Sequence, residues 1–147
     1  MAILPRRFWI TVLALGIVAF ALGIVFIVNG FIIQGQIAEG LRAEQVTLGL
    51  SEEAVAAGDV VDTAGEAQAA QDILEEHLHQ NYGTYGDTER GSEERTSYLD
   101  GTTLRNSLNL GVMGFGVCTM LLGTGAFILV TGIALGTTGL ALRRRVS

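Results

Sequence analysis

Two histidines and one cysteine are the side chains in this 147-residue chain best suited to metal or nucleophilic chemistry. His77 and His79 stand two apart in a segment with helical patterning, so their side chains leave the helix in different directions. They are the weak candidates for a metal site, and a metal needs at least three well-placed ligands. Glu75 stands four residues before His79 and is placed to pair with it on one helix face. A carboxylate and a histidine still do not complete a coordination sphere. Cys118 is the single cysteine, so no disulfide can form within the chain. It sits in an apolar run with no histidine near it in sequence to act as a base.

Fifteen acidic residues lie between Glu39 and Asp100, but their spacing does not match a calcium loop. The expected role of that cluster is a solvated acidic surface. No phosphate-binding glycine loop, nucleophile motif or cofactor-binding motif is found. The nine basic residues, all arginine, are too few and too scattered for nucleic acid. The residues therefore predict a non-enzymatic protein without a cofactor.

The elements behind these residues explain the poverty of chemistry. Hydrophobic residues make up 49% of the chain, and they are gathered at its two ends. Residues 8–33 contain no charge and would make a helix roughly 39 Å long, more than the ~30 Å hydrocarbon core requires. Residues 108–142 are also uncharged and would reach roughly 52 Å, so their outer end is expected above the lipid. The first run exceeds the ~7–15 apolar residues of a signal peptide and lacks a convincing cleavage site, which predicts an uncleaved anchor.

The expected class is all-α: an antiparallel two-helix transmembrane hairpin with long helices and a small, mainly helical extracytoplasmic insert. Its parts are a cytoplasmic N-terminus (1–7), a first span (8–33), an acidic insert (34–107), a second span (108–142) and a cytoplasmic C-terminus (143–147). Residues 34–106 hold four arginines against fifteen acidic residues, a net charge of −11. The remaining arginines are Arg6, Arg7, Arg143, Arg144 and Arg145. Positive flanks stay cytoplasmic, so both termini are expected inside a bacterial plasma membrane and the insert outside. Trp9 fits an interfacial anchor on the inner side.

Glycine is periodic in both apolar runs. Gly16, Gly23 and Gly30 are seven apart, and Ala19 shares their face. Gly111, Cys118, Gly125, Gly132 and Gly139 are also seven apart. A seven-residue repeat holds one seam of a left-handed helix pair, and small residues there let backbones approach. Gly136 forms a GxxxG with Gly132. Gly114, Gly116, Gly123 and Gly136 fall off the main seam, more small positions than one partner helix requires. Asn29 and the threonines at 119, 124, 131, 137 and 138 are expected to bond to their own helix backbones.

Within the insert, Val46 to Leu50 alternates weakly and suggests a short extended piece. Ser51-Glu52-Glu53 opens a helix that Gly58 closes. Thr63 and Glu66 fit a capping box for a helix to about Gln80, with Ala67, Ala70, Leu74 and Leu78 as its apolar stripe beside Ile73 and His77. Asn81 to Ser92 reads as a loop. A last helical start near Asp100 or Thr102 would lead into the second span. The insert has too few large apolar residues for an independent core and must pack on the helix extensions, the membrane surface or a partner.

Several segments together resemble a known group of proteins: Ala57-Gly58-Asp59-Val60-Val61-Asp62, Asp72-Ile73-Leu74-Glu75-Glu76-His77, Thr84-Tyr85, Leu104-Arg105-Asn106-Ser107-Leu108 and Phe115-Gly116-Val117. The chain resembles small two-span membrane proteins, mainly actinobacterial, often labelled aromatic ring-opening dioxygenase LigA. The resemblance implies the two-span topology. The label implies a non-haem iron held by two histidines and a carboxylate, and His77 and His79 do not supply that geometry. The function expected is an accessory or structural subunit of a larger membrane complex. Its partners would be the lipid bilayer and other integral membrane subunits or copies of itself. The alternatives are a self-associating scaffold or pore and, third, a metal-dependent membrane enzyme centred on His77 and His79.

Overall fold

The computed structural model describes residues 7–146. Among the described residues the regular structure is entirely helical: α1 (Phe8–Ala43), α2 (Glu52–Ala56), α3 (Ala64–Tyr82) and α4 (Glu93–Val146). Two helices, α1 and α4, are long and apolar enough to cross a membrane. With 36 and 54 residues they reach about 54 and 81 Å. The chain divides into two compact units: Met1–Ile33 with Cys118–Ser147, and Gln34–Val117.

In the first unit α1 and α4 pack along their glycines. Opposed pairs run from Leu13 with Gly139, through Gly16 with Gly136 and Gly23 with Leu129, to Gly30 with Leu122. Each step forward on α1 is matched by an equal step back on α4, so the contact is antiparallel and does not slip. Away from this line the helices are bare. Only 11% of the most apolar window of α1 and 17% of that of α4 is buried. The core helix of a water-soluble protein would bury most of such a window.

The second unit has its own core. Leu41 of α1, Val61 of the loop before α3, Ala67 and Ala70 of α3, and Leu108 and Phe115 of α4 form one buried cluster. Ile37, Val46, Leu48, Leu50, Leu104 and Val112 pack around it. Val61 and Leu108 are the largest aliphatic side chains fully removed from water, each worth about 1.5–3 kcal/mol. The expectation of a core built against the helix extensions therefore describes this unit, with Ile37 and Leu41 supplied by α1 and Leu104 to Phe115 by α4. The compact unit extends to Val117.

Local signals place the short elements. Ser51 caps α2, its hydroxyl accepting from the Ala54 amide at 3.2 Å. Gly58 ends that turn at φ +85°, which glycine adopts without a Cβ clash. Thr63 and Glu66 form the reciprocal capping box of α3, and such a cap contributes ~1 kcal/mol. α3 runs through Tyr82, two residues beyond the expected Gln80, and Gly83 at φ +70° ends it. α1 is closed by Gln45 at φ +51°, a left-handed turn without glycine, with Arg42 in the last helical turn.

Two local expectations are corrected. Val46 to Leu50 forms a turn, not an extended piece: the Leu50 amide bonds back to the Thr47 carbonyl, and only the Val46 carbonyl reaches across, to the Val61 amide. α4 begins at Glu93, seven or more residues before the expected start. Ser92 caps it, its hydroxyl accepting from the Arg95 amide at 3.1 Å, and Glu93 and Glu94 favour the positive end of the helix. Gly101, inside its first turns, lies where a Cβ would come within 2.6 Å of Leu78.

Candidate functional site

The histidines come first because they carry the chemical alternative. His77 and His79 are both exposed on α3. Among the described residues no three metal-ligating side chains converge. Glu75 does not pair with His79: its carboxylate accepts from the Arg105 guanidinium at 2.7 Å, joining α3 to α4. Cys118 is 98% buried within the helix contact of its unit, so it cannot serve as an exposed crosslinking handle.

The seam residues divide into two groups by what a side chain would meet. At Gly132 an added Cβ would lie 2.5 Å from the Phe20 nitrogen, and at Gly16 it would lie 2.6 Å from the Gly136 nitrogen. Gly23 faces the Leu129 backbone at 2.7 Å and Gly139 the Leu13 nitrogen at 2.9 Å. At these four positions backbone touches backbone, and no rotamer change can relieve an added atom. Gly125 meets Ile27 and Phe26 side-chain atoms at 2.9–3.0 Å. Gly30 meets only the tip of Leu122 within 3 Å. Ala19 is half-buried. In the second unit Gly111 meets the tip of Leu41, and Gly114 meets Ile37. Gly114 is thus a packing position, although its place in the repeat set it off the seam.

Three glycines of α4 remain. At Gly116, Gly123 and Gly136 an added Cβ would meet nothing within 4 Å. Gly136 is explained by its own backbone, which receives Gly16. Gly123 has no such explanation within its unit. It lies between Met120 and Phe127, which are 74% and 73% exposed. Residues spaced three and four apart share one helix face, so two large apolar side chains flank a bare glycine on an open surface. In the same unit Val25, Phe26, Asn29 and Leu121 line a shallow apolar recess of about 210 Å³. The Asn29 amide nitrogen donates to the Val25 carbonyl at 2.8 Å. Thr131, Thr137 and Thr138 likewise return their hydroxyls to the helix backbone.

The ends of the units carry the remaining polar chemistry. At one end of the first unit the Arg143 guanidinium lies 5.4 Å from the Trp9 ring centre. Arg7, Arg144 and Arg145 are exposed, and Arg6 lies outside the described residues. In the second unit the three tyrosines cluster about Tyr98, with an arginine stacked on one of them. Tyr98 lies 6.4 Å from Tyr82 and 6.3 Å from Tyr85, and Arg95 stacks 4.1 Å over Tyr85 while donating to the Thr88 carbonyl. Sequence reasoning missed this cluster. Tyr82 ends α3, Tyr85 lies in the turn after it and Tyr98 lies in α4, so the three are brought together by packing between segments apart in sequence.

Two carboxylates of the second unit are held below their ordinary range. Glu66 is lowered chiefly by the Asp62 backbone amide, with the Thr63 side chain adding to it. Asp87 is lowered by the backbone amide and then the hydroxyl of Thr84. Both effects fix local turns and caps.

No family model matches the chain, and no significant match is found among curated proteins or solved structures.

Proposed function

We propose that the chain is a two-span integral membrane protein acting as a non-enzymatic structural subunit of a larger membrane complex. The observation that carries this reading is the unfilled glycine position between Met120 and Phe127. A glycine inside a helix costs about 1 kcal/mol relative to alanine. Gly16, Gly23, Gly132 and Gly139 offset that cost with close backbone approach, and Gly123 does not within this chain. A second helix laid against α4 would use it in the same way, since membrane helices associate by packing on small residues.

Support for the membrane setting comes from the same surface. Phe31, Met120, Phe127 and Val130 are each more than 60% exposed, a cost in water that lipid removes. The five glycines of α4 from Gly123 to Gly139 are also more readily held in a helix where no water competes for the backbone. In this reading residues 8–33 and 108–142 contain the spans, both termini are cytoplasmic, and the second unit is exported as a hairpin insert. Self-association through the Gly123 face is the runner-up. The net charge of −11 on residues 34–106 opposes close packing of identical exported units, which favours a different protein as the partner.

Crosslinking in intact membranes tests the proposal. Cysteine placed at Gly123 in a Cys118→Ser background should yield one discrete adduct with another membrane protein. A homodimer adduct would support the runner-up. An absence of adducts at Gly123, matching an exposed control at Ile17, would contradict the docking face.

A further inference from the structure

We propose that the arginine end of the first unit binds the phosphodiester headgroup of an anionic phospholipid. This inference rests on the membrane-spanning reading of that unit and goes beyond it. The first unit contains no aspartate or glutamate, because every acidic residue of the chain lies between Glu39 and Asp100. Its charge comes from Arg6, Arg7, Arg143, Arg144 and Arg145. The antiparallel register carries Arg7 and the three arginines of α4 to one end. Gly139 approaches Leu13, and one turn further along Arg143 stands over Trp9. Exposed Arg7, Arg144 and Arg145 share that end. The positive side-chain charge of the unit draws anions from outside.

The surroundings select the anion. Trp9 is half-buried at the edge of the apolar surface, and an indole at that position sits at headgroup depth. Beside it Phe8 and Ile10 are 41% and 46% exposed, a surface for acyl chains and of no use to a free ion. Guanidinium forks match phosphate oxygens two at a time. Arginines immediately inside a membrane span attract anionic lipid, each by roughly five-fold in affinity. The occupant combining a phosphate with an apolar tail is a phospholipid of the leaflet nearest the chain termini.

The full chain, purified in neutral detergent and washed free of lipid, is titrated with phosphatidylglycerol, phosphatidylcholine or inorganic phosphate. Bound lipid is counted by native mass spectrometry, and thermal stability is followed in parallel. Phosphatidylglycerol should bind at least ten-fold more tightly than phosphatidylcholine, and inorganic phosphate should neither stabilise nor compete at equal concentration. Arg144→Gln should weaken phosphatidylglycerol binding roughly five-fold, while Arg105→Gln in the other unit should leave it unchanged. Equal binding of the two lipids would overturn the proposal. Equal stabilisation by inorganic phosphate would also overturn it, in favour of a free-phosphate site. Alkaline carbonate extraction of the source membranes separates the two levels. Protein released by carbonate contradicts the membrane reading itself, whereas protein that resists extraction yet shows no lipid preference contradicts only the lipid site.

Discussion

At Gly132 the nearest atoms to an added methyl are the backbone nitrogen and Cα of Phe20, and that fact ranks the glycines of this protein. Gly132→Ala must separate the two helices, at a cost of about 1–3 kcal/mol for overpacking. Gly30→Ala displaces only the end of Leu122 and should cost less than 1 kcal/mol. Gly40 meets nothing and is exposed, so Gly40→Ala should stabilise by about 0.4–1 kcal/mol through helix propensity. Thermal melts of the three variants in one detergent should give the order Gly40→Ala, wild type, Gly30→Ala, Gly132→Ala, from most to least stable. An equal effect at Gly30 and Gly132 would show that the close approach is absent. The seven-residue repeat exposed most of this line in the sequence. It could not separate backbone contacts from side-chain contacts, because that depends on whether a leucine or a bare backbone faces each glycine.

At the scale of elements, caps and apolar runs were legible and long-range compensation was not. Ser51 and Thr63 mark helix starts through short-range hydrogen bonds, and both are found as caps. The start of α4 lies earlier than expected, and the contact that places Gly101 within it, Leu78, belongs to another helix. The pairing of Glu75 with Arg105 and the tyrosine cluster follow from the same packing of α3 on α4. The α3 cap carries a pH dependence whose sign is fixed. Glu66 has a lowered folded pKa against a reference of 4.5. Its contribution is therefore complete above the unfolded value and is lost as pH falls through the lower folded value. Glu66→Gln should destabilise the second unit at pH 7, and its difference from wild type should shrink as pH falls below 4.5. Hydrogen exchange of the α3 amides at pH 7 and at lower pH would read this, and a difference independent of pH would assign the loss to packing instead.

For the whole molecule, the chain shows two long apolar helices with little of their apolar surface buried and an acidic unit with a core of its own. Composition and charge placement foretold the helices and the acidic middle, because both depend on residue totals over long runs. The function was less legible, since in the proposed reading it rests on a surface that another molecule would complete. The residues that invite enzymatic chemistry, His77 and His79, are exposed and apart from any ligand cluster among the described residues. The notch at Gly123 instead invites a helix. Native mass spectrometry of the protein drawn from its own membranes in the mildest detergent that releases it tests the central claim most directly. The account predicts a stoichiometric assembly with at least one different membrane protein, broken apart by Gly123→Leu. A lone monomer at every detergent strength would contradict it.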